Sequence, residues 1–157
     1  MQLLRLQLFG GIKMPFVMKR INIISRCASM YKTEKLGEAI SGCYHSMILC
    51  VSRSPGLSQD EISHRLCLNK STVARAVSYL EENGYVIRET DSNDKRIYRV
   101  YPTEKMNELA LRVREVSAEW NRAVSKEVSE EDMIIFNSVL EKIERSAREL
   151  AFGVEEK

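Results

Sequence analysis

The segment from Lys70 to Arg75 carries a group of side chains that could bind a polyanion. Lys70, Ser71, Thr72 and Arg75 all donate hydrogen bonds, and the segment contains no acidic residue. Lys and Arg bind phosphates, and Arg also chelates guanine, whereas Ser and Thr bind phosphates or base edges. These residue types therefore indicate nucleic-acid binding, provided that one element presents them on a single face.

The same segment is predicted to be a helix with a buried face. Its apolar residues recur at steps of four and three, as on one side of an α-helix: Val73, Val77 and Leu80. The helix should start at Asn69 or Lys70 and end at Asn83-Gly84, because glycine readily adopts the left-handed conformation that closes a helix. The four polar side chains then lie on the face that remains exposed.

A short helix precedes this segment and would brace it. Ser58-Gln59-Asp60-Glu61 has the spacing of a capping box, in which Ser58 and Glu61 each accept the other's backbone N–H. The helix should bury Ile62 and Leu66 and break at Leu68. A short bracing helix followed by a slender second helix is the helix-turn-helix arrangement, in which the second helix enters the major groove of DNA.

A β-hairpin with a basic tip should follow. The runs 85–88 and 97–101 are rich in β-branched and aromatic residues, and a turn-forming cluster at 91–94 separates them. Lys95 and Arg96 lie at the tip and Arg99 lies further along the second strand. Such an arginine can reach the minor groove, where negative potential is focused. We expect Asp94 to act as a local strut that pairs with Arg88 or Arg96.

These motifs together resemble the MarR family of bacterial and archaeal regulators. The resemblance is carried by 54–58, 71–73, 80–86, Arg88, Asp94-Lys95-Arg96 and 102–104, and more weakly by 129–132. It implies that Arg96 is the minor-groove arginine with Asp94 as its partner. It also implies a homodimer that binds a near-palindromic operator in double-stranded DNA, and a small lipophilic or phenolic effector. The predicted DNA-binding residues are Lys70, Ser71, Thr72, Arg75, Arg88, Asp94, Lys95, Arg96 and Arg99.

The predicted fold is mainly α, a winged helix-turn-helix with a small β-hairpin wing and with dimerisation helices at both ends. We expect three parts: 1–40 as an N-terminal segment and dimerisation helix, 41–102 as the DNA-binding domain, and 103–157 as C-terminal dimerisation helices. The flanking helices are expected from about Phe16 to Leu36, from Ser41 to about Arg53, from Thr103 with an apolar stripe reaching Val128, and from Ser129 onward.

Bulk properties permit this interpretation and disfavour others. The chain has 157 residues and a formal net charge of +2, so charge alone does not indicate nucleic acid. Four cysteines without a C-x-x-C pair favour reduced, partly buried thiols in a cytoplasmic protein. Neither a phosphate-binding loop, a nucleophile elbow nor a pair of catalytic carboxylates is recognisable in the sequence. We therefore expect no enzyme activity, cofactor, metal site or membrane role.

Some residues leave alternatives open. Cys27 is expected to be a small buried side chain, the alternative being a peroxide-sensing thiol. His45 and His64 are expected at the surface or at helix caps. Trp120 and Tyr44 should belong to the core, the alternative being a ligand pocket. The first residues either form an extra segment at the dimer interface or precede a true start at Met14 or Met18.

Two other functions compete with the main interpretation. A winged helix used only for protein–protein contact would not bind random duplex DNA, even at low salt. A thiol-based redox-sensing regulator of the same fold would lose its response to peroxide when Cys27 is replaced.

Overall fold

The computed structural model describes residues 17–37, 40 and 44–153, which form helices and one small sheet. The helices are α1 (Val17–Leu36), α2 (Tyr44–Arg53), α3 (Gln59–Leu66), α4 (Lys70–Glu82), α5 (Glu104–Ser125) and α6 (Glu130–Phe152). The strands are β1 (Leu57–Ser58), β2 (Val86–Thr90) and β3 (Tyr98–Pro102). The order of elements confirms the predicted winged helix-turn-helix fold.

The helices α1 and α2 begin close to where the sequence pattern places them. Helix α1 matches the predicted helix to within a residue at its start, and α2 ends at Arg53 as expected. The predicted cap at Ser41, together with Cys43 and the first sixteen residues, lies outside the described residues. On α2, Ile48 and Val51 are fully buried and Tyr44 is half-buried.

The predicted capping box at the start of α3 is present. The Ser58 hydroxyl accepts from the Glu61 N–H at 3.2 Å, and the Glu61 carboxylate accepts from the Ser58 N–H at 2.7 Å. Satisfying these two otherwise unpaired donors fixes the first residue of a helix that is only 8 residues long. Ile62 is fully buried, as predicted, and Leu66 is partly buried.

Helix α4 starts and ends where the sequence indicates. Asn69 is its N-cap residue, and Gly84 lies just beyond its end with a φ of +71°. The Gly84 N–H donates to the Glu81 carbonyl at 2.9 Å, which satisfies one of the carbonyls left at the helix end. A residue with a Cβ would be strained at this φ, so the glycine is required by the turn.

The sheet has three strands in the order β1-β3-β2, all antiparallel. The predicted hairpin is formed by β2 and β3, whereas β1 was not predicted because its two residues carry no periodicity. Leu57 pairs with Val100. Pro102, which was expected to end the hairpin, is the last residue of β3 and pairs with Val86 at the first position of β2. Proline is tolerated at such a strand end because it need not donate to the ladder.

The hydrophobic core joins α2, α3, α4, the sheet and the first half of α5. Fully buried side chains at its centre are Met47, Ile48, Val51, Ile62, Val73, Val77, Leu80, Val100, Met106 and Val113. Each of these elements contributes one apolar face, so the helix-turn-helix and the hairpin share a single core. The core therefore fixes α4 relative to the wing.

The chain divides into two compact units between Trp120 and Asn121. Helix α5 ends at Ser125, so the expectation that its stripe continues to Val128 is wrong. The Val128 N–H donates to the Ser125 carbonyl at 2.9 Å, a tight turn that breaks the helical ladder. The predicted cap at Ser129 is present, because its hydroxyl accepts from the Asp132 N–H at 3.1 Å.

None of the residues of α6 is buried. Large apolar side chains on this helix remain exposed: Ile134, Ile135, Phe136, Val139, Ile143, Leu150 and Phe152. Within the described ranges, no helix combines the length and the hydropathy that crossing a bilayer requires.

We predict that Leu80→Ala destabilises the protein by about 2–5 kcal/mol, because Leu80 is fully buried and its truncation leaves a cavity. Leu111→Ala is the matched control, since Leu111 lies on α5 and is 56% exposed. Urea unfolding at one protein concentration measures both variants. Equal losses of unfolding free energy in the two variants would contradict the core described above.

Candidate nucleic-acid interface

The first turns of α4 present their polar side chains to solvent. Lys70, Ser71 and Arg75 are exposed and Thr72 is half-buried. The Arg75 Nε donates to the Ser71 carbonyl at 3.3 Å, so its guanidinium lies back along the start of the helix. The four residues that the sequence groups together therefore share one accessible surface.

A carboxylate that the sequence analysis missed lies beside this surface. The Lys70 Nζ donates to Asp60 Oδ2 at 2.8 Å, and the two side chains are 76% and 69% exposed. Such an exposed pair is worth little, because water and salt screen it. Lys70 is therefore held only weakly and can exchange Asp60 for another anion.

The turn of the wing is organised around Asp91. Its Oδ1 accepts from the backbone N–H groups of Asn93 at 2.8 Å and Asp94 at 3.0 Å. The hairpin closes through backbone bonds from Asp91 to the Ile97 carbonyl and from Ile97 to the Asp94 carbonyl, both at 2.9 Å. An aspartate that binds the backbone in this way sets the turn without help from the strands.

Asp94 and Arg96 form the predicted strut. Asp94 Oδ1 accepts from the Arg96 backbone N–H at 3.0 Å and from Nε at 3.1 Å, while Oδ2 accepts from Nη2 at 3.0 Å. The Arg96 guanidinium holds the pKa of Asp94 below its ordinary value, and Asp94 raises the pKa of Arg96. The Arg96 side chain is nonetheless 91% exposed. The pair orients the arginine while leaving it accessible.

Arg88 is paired elsewhere, so the alternative in which it supports Asp94 is wrong. Its guanidinium donates to the Glu81 carboxylate at the end of α4. This hydrogen bond lowers the pKa of Glu81 and raises the pKa of Arg88. Only about a third of each side chain is exposed. The pair joins the end of α4 to β2.

Arg99 bridges the wing and the start of α3. Its Nε donates to Asp91 Oδ2 at 2.6 Å, and its Nη1 donates to Glu61 Oε2 at 2.8 Å and to the Gly56 carbonyl at 3.3 Å. The hydrogen bond from Arg99, followed by those from the turn amides, lowers the pKa of Asp91 to about 2. Glu61 lies 38 residues from Arg99 in sequence, so no local pattern indicates their contact.

An open cavity of about 310 Å³ lies between the start of α3 and the wing. Ser58, Gln59 and Asp60 line it on the helix side, and Arg96, Ile97 and Tyr98 line it on the wing side. The surface between the start of α3 and the wing is therefore concave.

The geometry agrees with comparisons to known proteins. The sequence model of the MarR family matches residues 45–98, which span α2 to the start of β3. A MarR transcriptional regulator from Methanosarcina mazei Go1 is 29% identical, with a TM-score of 0.74 over 85% of this chain and 97% of its own. Residues 45–98, about a third of the chain, are therefore similar to the MarR family, and the proteins to which the chain is similar are transcriptional regulators.

Two further proteins show the breadth of the likeness. The HTH-type transcriptional regulator BilQ of Clostridioides difficile (strain CD3) is 25% identical over 104 residues, which are 66% of this chain and 68% of BilQ. A MarR-family regulator from Listeria monocytogenes, crystallised with a 26-mer DNA, shares the fold with a TM-score of 0.79. It is 19% identical over 90% of this chain and 97% of its own.

Each of the two aromatic residues considered for a pocket packs against a second aromatic ring in a tilted arrangement. Trp120 packs on Tyr31 of α1 with ring centroids 5.4 Å apart, and Tyr44 packs on Tyr79 of α4 at 4.9 Å. Tilted contacts of this kind stabilise helix packing. The first pair joins α1 to α5 and the second joins α2 to α4.

The cysteines and histidines depart from expectation in three cases. Cys27 and Cys67 are exposed in the single chain, so the expected burial of Cys27 and partial burial of Cys67 are wrong. Cys67 adopts a φ of +52° at the end of α3, and its Sγ donates to the His64 carbonyl at 3.9 Å. His45 is buried rather than at the surface, whereas His64 is exposed as expected. The described residues contain no cluster of metal-ligating side chains.

We predict that the wing is destabilised in acid as Asp91 becomes protonated. Because its folded pKa of about 2 lies below the ordinary value of 3.8, the stabilisation is complete above pH 4 and is lost as pH falls toward 2. Carboxyl chemical shifts followed by NMR measure the Asp91 pKa. In Arg99→Met that pKa should rise toward 3.8; an unchanged value would show that Arg99 does not stabilise the carboxylate.

Proposed function

We propose that this protein binds double-stranded DNA with α4 in the major groove and the wing in the flanking minor groove. The observation that carries the proposal is the exposed Arg96 side chain, which Asp94 orients at the wing tip. The strands of the wing and the accessible α4 pack on the same core. The Listeria regulator crystallised with DNA shares this fold, which supports the proposal that the chain binds DNA.

Helix α4 would read bases with its N-terminal residues. Lys70 and Arg75 supply cations, and Ser71 and Thr72 supply hydroxyl groups, on the face that is not buried. An arginine can bind guanine in a bidentate manner, a contact worth about 1–3 kcal/mol of discrimination. We assign base reading to Arg75 and phosphate contacts to Lys70, which would exchange Asp60 for DNA.

The wing would add a contact that depends little on sequence. Arg96 and Lys95 are exposed at the hairpin, and the focused potential of a minor groove attracts arginine in particular. Asp94 would serve as the partner that orients Arg96, not as a DNA contact. Direct DNA contacts by Arg88 and Arg99 stay predictions. The guanidinium groups of both residues are engaged with carboxylates.

The active species would be a homodimer on a near-palindromic operator. Helices α1 and α6 each leave several large apolar side chains exposed, more than a soluble monomer commonly shows. A two-fold dimer would place its reading heads at half-sites about 10–10.5 base pairs apart. Repression by covering a promoter in the cytoplasm would follow, and a small lipophilic or phenolic effector would act by changing the separation of the heads.

We predict that Arg96→Ala weakens binding to every duplex, because the wing contact carries no base information. The logarithm of affinity against the logarithm of salt concentration should lose about 0.9 from its slope for each phosphate contact removed. Fluorescence anisotropy at several salt concentrations measures both quantities. An unchanged affinity and slope would remove the wing from the proposal.

Arg75→Ala is the contrasting control for this experiment. It should relax base preference, lowering affinity for the operator more than affinity for random duplex. The operator is found by selecting the duplex that the wild type binds best. If the wild type bound no duplex even at low salt, the alternative of a protein–protein module would replace DNA binding.

We predict that light scattering at micromolar concentration gives the mass of two chains. Phe136→Asp would place a charge among the exposed apolar side chains of α6 and should shift the protein toward one chain. Leu111→Asp is the control with an equal charge change outside α6. A wild type with the mass of one chain would refute the dimer.

A further inference from the structure

Arg99 joins three segments that are far apart in the chain. Its guanidinium binds Asp91 in the wing turn, Glu61 in the first turn of α3 and the Gly56 carbonyl before β1. A planar guanidinium with its fixed fork of donors suits such a bridge better than an ammonium group. The contacts therefore tie the wing to the helix that braces α4.

The tie is better protected from water than the other ion pair at the start of α3. The side chains of Arg99, Asp91 and Glu61 are 29%, 11% and 51% exposed, against 76% and 69% for Lys70 and Asp60. Partly shielded pairs with several hydrogen bonds hold a defined geometry, whereas fully exposed pairs rarely do. Arg99 is thus suited to set the position of the wing.

Each carboxylate at the ends of the tie also organises its own segment. Glu61 Oε2 accepts from both the Ser58 N–H and Arg99 Nη1, so one end of the tie lies in the capping box of α3. Asp91 Oδ1 holds the turn amides while Oδ2 holds Arg99 Nε. The Asp94 amide is among those that Asp91 holds, and Asp94 in turn orients Arg96.

We propose that Arg99 is a positioning residue, which holds Arg96 at a fixed distance from α4 through Asp91 and Asp94. The inference rests on the proposed function, because it assumes that Arg96 contacts DNA. It assigns to Arg99 an indirect role in place of a direct contact. The two reading elements then meet the duplex as one body, and little ordering remains to be done on binding.

This role predicts an effect opposite to that of simple electrostatics. Removing a negative charge near DNA strengthens binding when only the field matters, since a phosphate is repelled less. Removing the charge of Asp91 should instead weaken binding, because the wing loses its tie. The sign of the change distinguishes the two effects.

Asp91→Asn is the variant that cuts the tie with the least disturbance. Its side-chain carbonyl can still accept from the Asn93 and Asp94 amides, whereas its NH₂ group faces the Arg99 Nε–H, a donor against a donor. Asp60→Asn is the matched control, with the same atoms changed and the same gain of charge. We expect Asp91→Asn to weaken operator binding about tenfold, and Asp60→Asn to leave it unchanged or stronger.

A double-mutant cycle with Arg96→Ala shows whether the tie acts through Arg96. In the Arg96→Ala background, Asp91→Asn should cause no further loss, because the residue being positioned is absent. Additive losses, or an Asp91→Asn protein that binds as tightly as the wild type, would overturn the inference. Thermal unfolding shows whether each variant folds. If Asp91→Asn does not fold, Glu61→Gln replaces it, because the glutamine carbonyl can still accept the Ser58 N–H of the cap.

Amide hydrogen exchange of the wing provides a readout that needs no DNA. Arg99→Met should speed exchange at the Asn93 and Asp94 amides, and Arg99→Lys should restore protection only in part. Unchanged exchange in Arg99→Met would overturn the positioning role by itself. A wild type that binds no DNA but loses wing protection in Arg99→Met would overturn the proposed function and leave the tie standing.

Discussion

The structure depends on one constraint: the same few turns of α4 must pack against the core and also present polar side chains at the surface. Val73, Val77 and Leu80 are fully buried against α2, α3 and the sheet. Because side chains repeat every 3.6 residues, burying this stripe forces the side chains at 70, 71 and 75 outward. The packing that stabilises the domain also fixes the direction in which its polar residues point. A substitution at one of these exposed positions therefore need not change the core.

The arginines of the wing region illustrate why net charge says little about this interface. Arg88 and Arg99 are engaged with carboxylates and are about a third exposed, whereas Arg96 is almost fully exposed although it is also paired. The formal charge of +2 counts all three in the same way. What differs is which carboxylates surround each guanidinium, and this is a property of the fold. Arg88 and Arg99 therefore hold elements of the fold together through their carboxylate partners.

Features set by neighbouring residues could be predicted from the sequence. The capping box at Ser58 and Glu61, the end of α4 at Gly84 and the pairing of Asp94 with Arg96 each depend on residues within about one helical turn, where spacing alone implies contact. The same holds for the start of α6 at Ser129.

Features set by contacts between distant residues could not be predicted. Strand β1 is only two residues long and exists because β3 offers a free edge to Leu57 and Ser58. The ion pair of Glu61 with Arg99 spans 38 residues, and Asp60 meets Lys70 across the turn between two helices. The end of α5 was missed for a related reason, because apolar periodicity continues past Ser125 although the backbone turns there. Apolar spacing reports which face can be buried, but not where the helix stops.

The Asp94–Arg96 pair raises the question of how an arginine bound to a carboxylate could make the proposed contact with DNA. A guanidinium has five N–H groups, and Asp94 engages the Nε–H and one on Nη2. Both N–H groups of Nη1 and the second of Nη2 point away from this carboxylate. The pair therefore reduces the charge of Arg96 toward phosphate but leaves the directional donors at its tip. An arginine arranged in this way loses part of its long-range attraction and loses less side-chain entropy when it enters a narrow groove. If Arg96 contacts DNA as proposed, Asp94 favours a defined contact over non-specific attraction, which is the property that site-specific binding requires.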